Sequence, residues 1–142
     1  MSQWFKISEA SSLALHTMAY LAAHPGRLIS NRVIARDLGV SAAHLSKVLQ
    51  RLARAGLLES LRGPSGGFRL GRPAGEISLM EVYEAIDGKF QASSCLLGRP
   101  VCRGGKCVLG ELGRNLERQT REYLLNTKLS EFEDFMCFEE GS

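Results

Sequence analysis

Apolar residues in the first half of the chain recur at three- and four-residue spacing in three separate segments, which is the periodicity of amphipathic helices. The predicted helices cover residues 8–23, 31–38 and 42–55. A His-Pro-Gly sequence ends the first, and Ser30 and Ser41 are in position to cap the second and third. Gly39 separates the second helix from the third. The pattern therefore predicts two short helices joined by a tight turn and preceded by a longer helix.

The pattern after residue 56 predicts a hairpin and two more helices. Residues 57–61 and 67–70 predict two strands, joined by an Arg-Gly-Pro-Ser-Gly turn. A fourth helix near 79–86 ends at Asp87 and Gly88, and residues 91–106 show no periodicity. A long helix is then predicted over about 107–126, with an apolar repeat near heptad spacing at Val108, Leu112, Leu116 and Tyr123.

These elements predict a mainly α fold with a small β-wing. Residues 1–88 form the predicted winged helix-turn-helix domain, 89–106 a cysteine-rich loop, and 107–142 a dimerisation helix with a C-terminal tail. With 142 residues, 44% of them hydrophobic and 23% charged, the composition is that of a globular chain. No apolar segment is long enough for a membrane helix or has the form of a secretory signal, so we expect a cytoplasmic protein without a membrane partner.

Charge divides the chain into a basic half and an acidic half. Residues 1–72 contain ten Lys and Arg against three Asp and Glu, whereas residues 73–142 contain eight against twelve. A basic module of this kind indicates a polyanionic partner. On the third predicted helix, His44, Lys47, Arg51 and Arg54 follow one another at spacings of three, four and three, so they share the face opposite the apolar stripe.

A basic helix followed by a glycine-containing hairpin predicts binding to double-stranded DNA. The helix would enter the major groove by its N-terminal end, and the wing glycines would let the backbone approach a phosphate or the minor groove. The predicted DNA-binding residues are Ser41, Ala42, Ala43, His44, Lys47, Arg51, Arg54, Arg62, Ser65, Gly66, Gly67 and Arg69.

Three of the four cysteines lie within the aperiodic segment. Cys95, Cys102 and Cys107 are spaced C-x6-C-x4-C, beside Arg99, Arg103 and Lys106 and among several glycines. Clustered thiolates next to cations favour an iron–sulfur cluster, and the neighbouring charges would lower the thiol pKa values. A metal-free thiol redox switch, a zinc site and unliganded cysteines remain alternatives, although neither spacing is the C-x2-C of most structural zinc sites.

The wing and the fourth helix carry a family resemblance. The segments 62–70 (RGPSGGFRL) and 77–88 (ISLMEVYEAIDG) resemble the Rrf2 family of bacterial winged-helix iron–sulfur regulators of the IscR and NsrR types, and the resemblance extends over essentially the whole chain. It implies a dimer paired through long C-terminal helices. It also implies a 4Fe-4S or 2Fe-2S cluster on Cys95, Cys102 and Cys107, near the partner's N-terminal helix, whose state sets DNA affinity.

The sequence departs from the family pattern at the fourth cluster ligand. Gly110 stands where IscR-type members have histidine, and Ser12 stands near the position of the NsrR-type aspartate. A two-iron member uses glutamate at that position and a histidine one turn later, where this chain has His16. The ranked candidates for the fourth ligand are His16, Glu9, Glu111 and Cys137, with solvent or a small molecule also open.

The sequence therefore predicts a homodimeric transcription regulator, acting as a repressor on a palindromic operator, in which cluster state reports redox state, nitric oxide or iron–sulfur supply. One alternative is a clusterless regulator of the same fold, switched by thiol oxidation or a metabolite. Another is an iron–sulfur carrier or electron-transfer protein. No Ser/His/Asp constellation, phosphate loop or paired-carboxylate motif is recognisable, so an enzyme is not expected.

Overall fold

The computed structural model describes residues 7–91 and 108–134. Five α-helices lie in these ranges: α1 (Glu9–Ala22), α2 (Asn31–Leu38), α3 (Ala42–Arg54), α4 (Leu79–Asp87) and α5 (Gly110–Asn126). The strands β1 (Leu58–Leu61) and β2 (Gly67–Leu70) form an antiparallel pair, and two 3-10 helices cover Ala74–Glu76 and Leu129–Phe132. This arrangement confirms the predicted mainly α fold with a small sheet.

Serine side chains fix the starts of four helices. The hydroxyls of Ser8, Ser30, Ser41 and Ser78 each accept a hydrogen bond from the backbone N–H three residues later, at the beginnings of α1, α2, α3 and α4. Each such cap typically contributes about 1 kcal/mol to helix stability. Gly39 ends α2 in the left-handed conformation, with φ of 68°, and thereby allows α3 to start three residues later, at Ala42.

One apolar core joins α1, α2, α3, α4 and the segment after α5. The predicted stripe of α3 is buried in full: Leu45, Val48, Leu49 and Leu52. The larger apolar side chains that are less than 2% exposed outside that stripe are Met18, Leu21, Ile34, Ile77, Val82 and Leu129. Since α3 buries one face in this core, its opposite face is held towards solvent.

The hairpin of β1 and β2 is fastened to the turn before α2. Ile29 and Phe68 exchange backbone hydrogen bonds of 3.0 and 2.8 Å, so β2 lies against this turn. A Cβ atom on Gly67 would lie 2.6 Å from the carbonyl carbon and oxygen of Ile29, and one on Gly66 would overlap the carbonyl oxygen of Leu61. Both glycines are therefore required by the packing of the wing itself, in addition to any role towards DNA.

The chain just after α5 pairs with the residues at the start of α4. Leu79 N–H donates to the Thr127 carbonyl and Leu129 N–H to the Ile77 carbonyl, both at 3.0 Å. Leu129 is completely buried, so the short 3-10 helix after α5 belongs to the core. Within residues 7–91 and 108–134, no helix combines the length and apolar character needed to span a membrane.

Candidate nucleic-acid interface and cysteine region

The basic face of α3 is open to solvent. Its four predicted side chains, His44, Lys47, Arg51 and Arg54, are all exposed. Together with Gln50 of the same helix they line a shallow cleft of about 380 Å³ beside the first turn of α1. No ion pair to a carboxylate neutralises these side chains within the described ranges. The positive charge of this face is therefore available to an external anion.

The start of α3 is exposed and is held in place by polar contacts. Ser41, Ala42 and Ala43 are exposed, as the prediction of groove entry requires. The Ser41 hydroxyl accepts a 3.3 Å hydrogen bond from the His44 N–H, so part of its bonding capacity is used in capping. Asn31 at the start of α2 donates a 3.1 Å hydrogen bond to the Ala42 carbonyl. This contact fixes the two helices of the helix-turn-helix relative to one another, and the sequence pattern gave no sign of it.

The wing residues differ in exposure and in partners. Arg62 and Ser65 are exposed, whereas Gly66, Gly67 and Arg69 are partly buried. Arg69 Nε donates a 2.8 Å hydrogen bond to Glu59 Oε2 on the neighbouring strand. This hydrogen bond and the charge of Arg69 lower the pKa of Glu59, and the same pair raises the pKa of Arg69. Arg69 thus already has an anionic partner, a contact that the sequence pattern does not predict.

The last turn of α4 is tied to two other helices. Arg51 Nη1 on α3 donates a 3.1 Å hydrogen bond to the Ile86 carbonyl. The Asp87 carboxylate accepts hydrogen bonds of 2.9 and 3.0 Å from the Ser8 hydroxyl and of 2.6 Å from the Ser11 hydroxyl. A negative charge is favourable at this place because it lies at the positive N-terminal end of α1. The Ile-Asp-Gly segment therefore joins α4 to both α1 and α3.

The chain just after α4 is also anchored. Phe90 N–H donates a 3.0 Å hydrogen bond to Glu84 Oε2, and its ring meets that of Tyr83 edge-on at a centroid distance of 5.5 Å. The Arg121 guanidinium of α5 lies 4.8 Å from the centre of the same ring, a cation–π contact. These contacts link α4 and α5 at the point where the chain leaves α4 for the cysteine segment.

The cysteine site lies outside the described residues, as do all four cysteines: Cys95, Cys102, Cys107 and Cys137. The non-cysteine ligand candidates can be placed. Glu9 and His16 are exposed on α1 and line a cleft of about 320 Å³ together with Ser12. Glu111 is exposed in the first turn of α5. Among the residues that the structure describes, no three His, Cys, Asp or Glu side chains come close enough to hold a metal ion.

The ring of His16 contacts the backbone of its own helix. Its Nδ1 lies 2.7 Å from the Ser12 carbonyl oxygen, so the tautomer with a proton on Nδ1 donates to that carbonyl. Nε2 is then left with its lone pair, which is the arrangement found in most metal-bound histidines.

Apolar side chains are exposed on α5 and just before it. On the helix Leu112 is 50% exposed and Tyr123 57%, and Val108, two residues before its start, is 91% exposed. A groove of about 530 Å³ runs between α1 and α5 and is lined mainly by apolar side chains, among them Leu15, Leu116 and Phe132. Exposed apolar surface of this extent on one helix is typical of a protein–protein contact.

Comparison with known proteins identifies the family. The sequence model of the Rrf2 family, described as an iron-dependent transcriptional regulator, matches residues 7–134. The chain belongs to the Rrf2 family. The resemblance seen in the wing and the fourth helix is thereby confirmed.

Curated relatives are regulators of the IscR type. The chain is 38% identical over 99 residues to the HTH-type transcriptional regulator IscR of Klebsiella pneumoniae, and equally to that of Cronobacter sakazakii. The match covers 69% of this chain and 60% of each relative's length. These relatives are transcriptional regulators rather than enzymes.

Solved structures share the fold. The global cysteine regulator CymR of B. subtilis has a TM-score of 0.78 and 25% identity, with 94% of this chain and 99% of that chain covered. The IscR of T. potens has a TM-score of 0.70 and 22% identity, with 94% and 93% covered. The fold is thus the winged-helix fold of these regulators, as predicted.

Proposed function

We propose that this Rrf2-family chain is a homodimeric transcription regulator, a repressor, that binds double-stranded operator DNA through α3 and the wing. The observation that carries this proposal is the unneutralised basic face of α3, directed away from the core beside an exposed helix start. A helix of this kind fits the major groove, where its first residues reach base edges and its later cations reach phosphates.

Separate roles follow from where the side chains lie. Ser41, Ala42, Ala43 and His44 at the start of α3 would contact bases, and Lys47, Arg51 and Arg54 would contact phosphates. Arg62, Ser65 and the two wing glycines would approach the neighbouring backbone or minor groove. Arg69 reaches a phosphate only by leaving or sharing Glu59, so its contribution to DNA affinity should be smaller than that of Lys47.

The second part of the proposal is a dimer formed by α5. The exposed apolar residues of this helix and the groove beside α1 supply a surface that a second copy of α5 would cover. Two copies of α3 would then bind half-sites of a palindrome roughly 34 Å apart. The proposed division into a winged-helix domain over 1–88, a cysteine loop over 89–106 and a dimerisation region over 107–142 follows from this arrangement.

The third part is the cofactor. Cys95, Cys102 and Cys107 would hold an iron–sulfur cluster, of the 4Fe-4S or 2Fe-2S type, because three thiolates beside three cations suit such a group. When bound, the cluster supplies a centre whose charge and ligation change with redox state, nitric oxide or iron supply. His16 is the proposed fourth ligand, because its Ser12 contact leaves Nε2 available; Glu9, Glu111 and Cys137 rank behind it.

DNA binding is tested by salt titration of duplex affinity. Each lost phosphate contact lowers the slope of log affinity against log salt by about 0.9, so Lys47→Met and Arg54→Met should each flatten the slope by about one. Arg114→Met is the matched control, because it removes one exposed charge from α5, which lies outside the proposed DNA interface. Equal slopes for wild type, both α3 variants and the control would contradict the proposed interface.

Cluster binding is tested on protein purified without air. Wild type should contain iron and acid-labile sulfide and absorb visible light, and Cys102→Ala should lose all three together with its cluster-dependent DNA affinity. Arg114→Met, which removes neither a cysteine nor a ligand candidate, is the control that should keep them. His16→Ala should keep iron but shift the visible spectrum. Full colour in Cys102→Ala would refute the assignment of the three cysteines.

A clusterless thiol switch is the second candidate function. The observation in its favour is that the CymR structures, including the oxidised form from Staphylococcus aureus at a TM-score of 0.73, match this fold at least as well as the T. potens IscR. This candidate predicts iron-free protein whose DNA affinity changes on thiol oxidation. Metal analysis and oxidation in parallel distinguish the two mechanisms.

A further inference from the structure

We infer that Arg51 couples DNA binding to the end of α4, the point from which the chain continues towards the cysteines. Resting on the proposed DNA-binding function, this inference adds a positioning residue to it. Arg51 is the member of the basic face of α3 that also donates a hydrogen bond to another helix, through Nη1 to the Ile86 carbonyl at 3.1 Å.

The geometry of the guanidinium allows both contacts at once. Arginine carries five N–H donors in a planar fork, and the bond to Ile86 uses one nitrogen, Nη1. The edge formed by Nε and Nη2 is left for a phosphate. Arg51 is exposed and lies one turn from both Lys47 and Arg54, so a phosphate bound beside either cation would lie next to Arg51.

The end of α4 is well placed to accept this hydrogen bond. The Ile86 carbonyl belongs to the last turn of α4, where carbonyls lack helical partners and attract cations. The next residue, Asp87, binds Ser8 and Ser11 at the start of α1, the helix that carries Glu9 and His16. A phosphate that immobilises Arg51 would therefore restrain α4 and, through Asp87, the start of α1.

Reciprocity follows from thermodynamics. If DNA binding stabilises the end of α4, then a second ligand that stabilises the same end raises DNA affinity, and the two ligands change each other's affinity by the same factor. The coupling can consequently be measured from the DNA side, on wild-type protein purified without air.

The experiment is amide hydrogen exchange at Gly88 and Phe90, which donate to the Glu84 carbonyl and the Glu84 carboxylate respectively. The probe is a duplex selected by the wild-type protein from a randomised pool. In wild type, DNA should slow exchange at both amides by about fivefold, the effect of securing one net hydrogen bond. In Arg51→Met this protection should disappear, while Arg54→Met, which loses one charge of the same face, should retain it.

A conservative variant at Arg51 distinguishes the proposed coupling to α4 from the general effect of a positive charge on DNA binding. Arg51→Lys keeps the positive charge and should preserve the salt dependence of DNA affinity. It should nevertheless lose the DNA-dependent protection, because a single ammonium group lacks the two-edged fork. If Arg51→Lys or Arg51→Met keeps full protection, the inference is wrong.

Failure of the inference and failure of the proposed function give different results. Wild-type protein that binds the duplex with unchanged or faster exchange at Gly88 and Phe90 would overturn the inference alone. Wild-type protein that binds no duplex would overturn the proposed function and the inference together.

Discussion

Removing the carboxylate of Asp87 should destabilise the fold by more than removing its hydroxyl partner Ser11. Ser11 is completely buried and donates a 2.6 Å hydrogen bond to Asp87 Oδ2, whereas Asp87 itself is exposed. Asp87→Ala therefore loses a charge-assisted bond and leaves a buried hydroxyl without this partner, at a combined cost of about 2–4 kcal/mol. Ser11→Ala leaves a carboxylate that water and Ser8 still solvate, and alanine gains about 0.5 kcal/mol in helix propensity. Ser11→Ala should therefore lower the free energy of unfolding by about 1–2 kcal/mol.

The assay is urea unfolding followed by circular dichroism, at one fixed protein concentration because association changes apparent stability. The double variant should cost about as much as Asp87→Ala alone, so the two changes are non-additive by about 1–2 kcal/mol. Glu122→Ala, an exposed change on α5, serves as control and should stay within about 0.5 kcal/mol. If the losses in free energy of unfolding for Asp87→Ala and Ser11→Ala simply add in the double variant, the two side chains do not stabilise the fold through one shared hydrogen bond.

Two further predictions concern the wing and the contact between α1 and α2. Gly67→Ala should lower the free energy of unfolding by about 2 kcal/mol or more, because the added Cβ would lie 2.6 Å from backbone atoms. Gly75→Ala is the control and should be tolerated, because the nearest atom to its Cβ lies at 3.8 Å. Equal melting temperatures for the two variants would contradict this prediction. Burial and the 2.6 Å bond to Asp37 raise the pKa of Tyr20 to about 12, and that bond lowers the pKa of Asp37. Tyr20→Phe should cost about 1.5–3 kcal/mol at neutral pH. Because the folded state lowers the pKa of Asp37, its bond to Tyr20 contributes fully to stability above the pKa that Asp37 has in the unfolded chain. This contribution is lost as the pH falls through the lower pKa of the folded state. The difference between Tyr20→Phe and wild type in urea unfolding should therefore narrow below about pH 4, and a pH-independent difference would argue against the Asp37 bond.

Local signals in the sequence were sufficient for most of the helices. The bounds of α2 agree with the prediction because Ser30 and Gly39 mark its two ends, and the buried stripe of α3 agrees because its apolar residues keep one period. The start of α5 differs, since the apolar repeat includes Val108 whereas the helix begins at Gly110. Periodicity locates a face more reliably than it locates a first turn.

Long-range contacts could not be obtained from the sequence. The 3-10 helix at Leu129–Phe132 is buried because the chain pairs with residues 77–79, fifty positions earlier. The packing reason for Gly67 depends in the same way on Ile29. Arg51 was placed correctly on the basic face, but its bond to Ile86 links residues 35 positions apart. The exposure of the basic face of α3 was therefore predictable from the sequence. The hydrogen bonds that join this helix to its neighbours were not.

The most direct test of the account is operator affinity measured, without air, on the same preparation before and after iron is removed. Iron and sulfide content are measured in parallel. If cluster state sets DNA affinity, the protein should be isolated with iron. Its affinity for the selected duplex should then change by at least about tenfold, or roughly 1.4 kcal/mol, when the metal is lost. An affinity that is the same in both states, or iron-free protein from iron-replete cells that binds tightly, would contradict it.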